Sequence, residues 1–350
     1  MDQYVRSILE KKTKSPATLK NRVSYITSLY RQLGSSASDL SFLNNKKAVM
    51  ALVKSSDNLG TQKTRLFHLS ETCKADKSSA IKPDIKAYYA AQADKLKKPV
   101  ADLEATNVMS DKQKEKHISI ASANLRLEEH IRRVFDDYEI ERIAPISDED
   151  FNKWHGKAKK NAFTLAKAIQ ECVIPSLYVW QTALRNDWAE LTITRRIVIP
   201  NSGNWLQIKK DGTMYIILNE YKNAAHMGKQ KIQLTTKCQQ LMRIWLELLE
   251  RILGDKPEHP LYYSINAKGD VKWIENADTM GRQLSRFSVK IFGRAATINT
   301  FRHAHEIALQ ETDEYKRMTV KERTEAHAKL LHSLTTGVKY MLQRRDANLD

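Results

Sequence analysis

Residues 204–235, "NWLQIKKDGTMYIILNEYKNAAHMGKQKIQLT", decide the fold class, because they interrupt an otherwise helical pattern. The runs 205–208, 214–218 and 231–234 are short and rich in the β-branched and aromatic residues that strands favour. Asp211-Gly212 stands between the first two runs and is a strong hairpin signal. This predicts a small antiparallel sheet in a mainly α protein, an α+β chain. Helical spacing resumes with "CQQLMRIWLELLERIL" at 238–253 and continues to the C-terminus.

Upstream, residues 1–97 read as a helical module. Ser15 and Pro16 are an N-cap followed by proline at the first helical position. Leu19, Val23, Ile26, Leu29 and Leu33 then recur at helical intervals, and Gly34 closes the helix. Further helices are expected over 40–56, over "TQKTRLFHLSETCK", and from Pro83, with Tyr88, Tyr89 and Leu96 on one side. Lys63 and Arg65 stand in the "TQKTRLFHLSETCK" helix, where they are candidate phosphate contacts. Residues 98–145 are highly charged and read as a linker plus a bridging helix, "ANLRLEEHIRRVFDDYEIERI". A second domain is expected over 146–350, with Ser147 as its opening cap.

Among 350 residues, 58 Lys and Arg face 41 Asp and Glu, a formal charge of +17 that points to a polyanionic partner, above all nucleic acid. Cys73, Cys172 and Cys238 are odd in number and far apart, so no disulfide framework is implied. Reduced cysteines, no apolar leader and no apolar run of spanning length suit an intracellular protein without a membrane anchor. "HAHE" lacks zinc-site spacing and the cysteines form no CxxC pair; nucleotide-binding glycine loops are also missing. No metal and no cofactor is expected.

Four stretches carry chemistry-bearing residues in a telling order. "QTALRNDWAEL" places Arg185 and Asp187 just after an apolar helical run. "YKN" places Lys222 in the connection between two expected strands. "INTFRHAHE" holds Asn299, Arg302 and His303, and "LLHSLTTGVKYMLQ" holds His332 and Tyr340. The resulting order of Arg, Lys, Arg, His and Tyr, with the lysine on a hairpin, resembles the tyrosine recombinase family. The Arg-x-Asp motif and the hairpin look like its integrase branch in viruses and mobile elements.

That resemblance implies a DNA-breaking and -rejoining catalytic domain over 146–350, behind a helical core-binding-like DNA-binding domain. Attack of a tyrosine hydroxyl on a phosphodiester builds negative charge on the non-bridging oxygens. By resemblance, Arg185 and Arg302 clamp that charge. Lys222 protonates the departing 5′ oxygen, and His332 hydrogen-bonds the phosphate or assists proton transfer. Tyr340 becomes a covalent 3′-phosphotyrosine, which conserves bond energy without ATP or metal. Double-stranded DNA and a homo-tetramer on synapsed DNA are the implied partners, acting wherever the target DNA lies.

The chain departs from the family pattern in two places. Asn299 stands where a histidine is usual; it can still hydrogen-bond a phosphate oxygen but relays no proton, and His303 is an alternative. The tail beyond Tyr340, residues 341–350, is short for a segment lent to a neighbouring subunit. Two other readings remain: a type IB topoisomerase-like DNA-relaxing enzyme, and a decayed recombinase that only binds DNA.

Overall fold

The structure, a computed structural model, describes residues 1–13, 15–105, 109–140, 149, 159–181, 184–254, 258–265, 271–274, 277–334 and 336–337. Ser147 and Tyr340, both singled out from sequence, lie outside these residues. The chain divides into two compact units, Met1–Thr106 and Asn107–Asp350.

The first unit is helical: α1 (Asp2–Glu10), α2 (Pro16–Gln32), α3 (Lys46–Lys54), α4 (Leu59–Ala75), α5 (Pro83–Lys95) and α6 (Lys97–Ala105). Ser15 caps α2 by accepting from the Thr18 N–H, and Gly34 leaves the helix in the left-handed region at φ +59°. Leu19, Val23, Ile26 and Leu29 fill the unit's core together with Leu9, Leu69 and Tyr89. The single helix expected over 40–56 is two elements. A 3-10 turn spans Leu40–Asn44, and Asn45 then caps α3 through the Ala48 N–H. Arg65 is not spread over solvent: its guanidinium donates to the Leu52 and Val53 carbonyls at 2.8 and 3.1 Å and closes the end of α3.

The second unit begins with α7 (Asp111–Lys116) and α8 (Ile120–Asp137), followed by α9 (Lys159–Val179). The sheet strands are β1 (Leu191–Thr194), β2 (Asn204–Ile208) and β3 (Met214–Leu218), then a short helix α10 (Ala224–Met227) and β4 (Gln230–Gln233). After these come α11 (Thr236–Leu253), β5 (Glu258–Pro260), β6 (Tyr263–Ile265) and β7 (Val271–Trp273). Helices α12 (Ala277–Phe292), α13 (Ile298–Glu311), α14 (Asp313–Arg317) and α15 (Val320–Lys329) complete it. The chain is thus mainly α with a small sheet, as the sequence predicts.

The sheet itself differs from expectation. It has five strands in the order β4-β3-β2-β1-β5, and it is mixed rather than antiparallel, because β1 pairs in parallel with β2. The connection between them folds over the sheet, where the Gln207 amide donates to the Arg196 and Ile197 carbonyls at 3.0 and 3.2 Å. The β2–β3 hairpin turns at Asp211-Gly212, with Gly212 at φ +80° and the Thr213 N–H bonded to the Asp211 carboxylate at 2.9 Å. Strands β6 and β7 form a separate two-stranded ribbon.

Helix α8, expected to bridge two domains, belongs to the core of the second unit. Ala123, Leu127, Ile131, Val134 and Phe135 are buried with residues of α9, α11 and α12. Its spacing of four, four and three residues makes one apolar stripe, while the charges lie on the opposite side. Arg126 donates to the Phe292 carbonyl at 2.7 Å and Asn124 accepts from the Trp180 indole at 2.7 Å, which ties α8 down at two further points. Residues 98–145 therefore divide, with α6 packed in the first unit and α8 in the second. No helix among the described residues is long and apolar enough to cross a membrane.

Candidate active site

Arg302 and His332 meet directly. Helix α13 starts at Thr297, which caps the Thr300 N–H in a reciprocal capping box, and this fixes the first turn that leads to Arg302. Arg302 is 3% exposed. Its guanidinium donates to His332 Nδ1 at 2.9 Å and to the Leu330 carbonyl at 3.3 Å. Because arginine only donates, His332 Nδ1 is the acceptor, and the ring proton sits on Nε2. That Nε2–H faces the carboxylate of Glu306, one helical turn from Arg302.

Glu306 is buried and accepts three hydrogen bonds. Oε1 receives His332 Nε2 and His327 Nδ1, the latter at 3.1 Å, and Oε2 receives the Gln310 amide at 2.9 Å. Burial, the largest single influence, pushes its pKa up. The hydrogen bonds from His332 and Gln310 outweigh this and hold the carboxyl below its ordinary range, so it is ionised. Behind His327, the Tyr315 hydroxyl meets Nε2 at 2.7 Å.

The backbone aims His332 inward. After α15, Leu331 adopts a left-handed conformation at φ +55°, which costs a non-glycine residue roughly 1–2 kcal/mol. That bend presents the Leu331 carbonyl to the Asn223 side chain, which donates to it at 2.8 Å. Asn223 follows Lys222 in the β3–β4 connection, so the lysine's loop is pinned beside the histidine's turn. The Tyr221 hydroxyl, on the other side of Lys222, donates to the Gly228 carbonyl at 2.7 Å and closes the loop on itself. Lys222 is exposed.

Arg185 lies between the end of α9 and a 3-10 turn at Asn186–Glu190. Tyr178 is the strut that places it. The Tyr178 hydroxyl donates to the Arg185 carbonyl at 3.2 Å, and the Tyr178 carbonyl accepts from His305 Nε2 on α13 at 2.8 Å. The Tyr178 ring also packs against Phe301, with centroids 6.0 Å apart. Asp187 feels the charge of both arginines. Burial raises its pKa, opposed by the backbone N–H groups of Asp187 and Arg185 and by the charges of Arg185 and Arg302. Arg185, Asp187, Arg302, His332 and the Lys222 loop are thus joined into one constellation.

The other sequence-predicted residues are less central. Asn299 is exposed in the first turn of α13, and His303 is half-buried beside Arg302. Sequence reasoning missed Glu306, His327, Gln310 and Tyr178. The signal for Glu306 was present in "FRHAHE": an acid one helical turn after an arginine, on the same face.

Glu306, His327 and His332 bring three ligand-type atoms within 4.8 Å of one another. They fit a hydrogen-bonded cluster better than a metal centre. Arg302 takes the Nδ1 lone pair of His332, so binding a cation at Nε2 would need an imidazolate.

Beside the constellation, on the outer face of β2–β4, lies a groove of about 810 Å³. Arg195, Arg196, Lys209, Lys210, Lys229 and Lys231 line it, and neither Arg185, Arg302 nor His332 does. Glu250 and Glu258 pair with Arg195 and Arg196, while Lys209 and Lys231 each lie over the Tyr215 ring. The remaining lysines leave the groove with a positive charge that attracts anions.

No family model and no curated protein sequence matches the chain. Among solved structures it is similar to one described as "Crystal structure of XerA recombinase", with 12% sequence identity and a TM-score of 0.36, over 99% of this chain and 94% of that one.

Proposed function

We propose that this chain is a DNA strand breaking-and-rejoining enzyme of the tyrosine recombinase type, an integrase serving a virus or mobile element. The observation that carries the reading is the convergence of four distant segments on one point. Arg302 is bonded to His332, Arg185 is tied to the Arg302 helix through Tyr178, and the Lys222 loop is bonded beside His332 through Asn223. Arg302, buried and hydrogen-bonded through its guanidinium, and Arg185, tied through its backbone carbonyl, suit the phosphorane that forms when a hydroxyl attacks a phosphodiester. Lys222, exposed on its loop, would protonate the 5′ oxygen as it leaves. Asn299, at the exposed start of α13, would donate a hydrogen bond to a phosphate oxygen. Tyr340 would supply the nucleophile, with double-stranded DNA as substrate and four protomers on two synapsed duplexes.

His332 takes a role different from the one the resemblance implies. With Nδ1 accepting from Arg302 and Nε2 facing Glu306, it orients the arginine rather than touching the phosphate.

The assignments separate by leaving-group chemistry. Lys222→Ala should cleave ordinary DNA very slowly, yet cut a substrate with sulfur at the bridging 5′ position at nearly the unmutated rate. A thiol, with a pKa of about 8.5 in cysteine, leaves without a general acid. Arg302→Ala should lose about 100-fold or more on both substrates, because it acts on the non-bridging oxygens. Rescue of Lys229→Ala or Lys231→Ala in place of Lys222→Ala would move the acid to the other side of the connection. Relaxation of supercoiled plasmid without exchange between two sites would favour the topoisomerase reading.

DNA affinity should also fall steeply with salt. Six phosphate contacts would cost about 1,000-fold between about 50 and 200 mM. An affinity unchanged over that range would remove the electrostatic basis of DNA binding.

A further inference from the structure

The cluster that holds Arg302 also grips the segment leading to Tyr340. Gln310, one turn beyond Glu306 on α13, donates to Glu306 Oε2 at 2.9 Å and to the Gly337 carbonyl at 3.1 Å. Gly337 is buried against the His327 imidazole so closely that a Cβ on it would overlap the ring. The glycine is required here by space, since its backbone does not adopt the left-handed region. The Gly337 N–H, three residues before Tyr340 in the sequence, also donates to the Ser333 carbonyl at 2.9 Å.

We infer that Glu306, His327, Gln310 and Gly337 form a positioning device that sets the nucleophile's segment in register with the arginine that receives the phosphate. The inference rests on the tyrosine reading above and adds residues that touch neither DNA nor the reacting atoms. Glu306 is the hub. Its Oε1 reaches Arg302 through His332, and its Oε2 reaches Gly337 through Gln310. His327 closes the second path, bonded to Oε1 on one edge and packed against Gly337 on its face. A buried ionised carboxylate gives up none of these donors cheaply, so a displacement at Gly337 is passed to His332 and Arg302. Tyr315 backs the hub through His327, and its own hydroxyl is thereby engaged.

The test is a double-mutant cycle in the full chain: Gly337→Ala, His327→Ala and the pair. With His327 present, the added methyl pushes the following segment by on the order of 1 Å. Adduct formation at saturating DNA should then fall by about 100-fold while DNA affinity stays unchanged. With His327 trimmed to alanine the methyl meets no ring, so the pair should react as fast as His327→Ala alone. Equal fractional losses from Gly337→Ala in both backgrounds, or no loss in either, would overturn the inference. So would a loss carried wholly by DNA affinity. Should the unmodified chain form no adduct, the tyrosine reading fails, and the cycle is then read in thermal unfolding. There, a Tm drop from Gly337→Ala confined to the His327 background upholds the packing claim, and additive drops refute it.

Discussion

Tyr340→Phe should leave the fold and DNA affinity of the chain intact and abolish the covalent adduct that the proposed function requires. The substitution removes one oxygen and no charge, so the electrostatic attraction of a chain at +17 for DNA persists. The surroundings of the two arginines should persist as well, since the Arg302 guanidinium is held by His332 and the Leu330 carbonyl, and the Arg185 backbone carbonyl by the Tyr178 hydroxyl. Under the proposed function, what disappears is the atom that attacks phosphorus. Tyr315 is the next tyrosine in the C-terminal region, but it is 7% exposed and its hydroxyl is bonded to His327 Nε2 at 2.7 Å. Burial raises its pKa, which further disfavours the phenolate. Tyr315→Phe should therefore weaken the buried cluster while retaining the adduct. The readout is a nicked suicide substrate, which traps the protein on DNA as a band resistant to denaturant.

A fragment starting at residue 107 should fold cooperatively, whereas one starting at residue 146 should not. The shorter fragment keeps every residue of the candidate site but lacks α8. Burying Leu127, Ile131, Val134 and Phe135 stabilises the unit by about 1.5–3 kcal/mol each, or more than about 6 kcal/mol together. That is comparable with the roughly 5–15 kcal/mol by which a whole domain is stable. Removing α8 also exposes the α9, α12 and α13 surfaces on which it packs and deletes the Arg126–Phe292 and Asn124–Trp180 bonds. Thermal unfolding by circular dichroism should show one sharp transition for 107–350 and a broad or missing one for 146–350. Identical transitions would mean that α8 is dispensable. Any assay of what the first unit contributes to DNA cleavage should therefore compare the full chain with 107–350.

The error over α8 shows where sequence reading loses its grip. Twelve-odd charged and polar side chains dominate the stretch to the eye, but the apolar stripe of Ala123, Leu127, Ile131 and Val134 decides where the helix goes. The central strands were legible because β3 and its neighbours carry local signals: β-branched residues, Asp211-Gly212 and an Asn-rich connection. Strand β5 was not, because Glu258–Pro260 has no strand-forming pattern and exists only by pairing with β1. The parallel β1–β2 pair was hidden for a related reason. Strand direction there depends on the loop between them crossing the sheet, which no local pattern records.

The candidate site divides in the same way. Arg185, Lys222, Arg302 and His332 stand in the sequence as an ordered set of residue types, and the proposed function rests on that order. The residues that hold them were not legible there, because Glu306, His327 and Gln310 look like surface polar residues until the fold buries them against one another. A buried charge is unfavourable unless every donor finds it, and that is a property of the packed state rather than of any short stretch.

The central claim is that Tyr340 attacks DNA at the point where Arg185, Arg302 and Lys222 converge. It is tested most directly by trapping the full chain on a suicide substrate, digesting the complex and sequencing the DNA-linked peptide by mass spectrometry. The account predicts a single modified peptide, carrying a 3′-phosphate on Tyr340. A linkage on any other residue, or a chain that binds DNA tightly and never becomes attached to it, would contradict it.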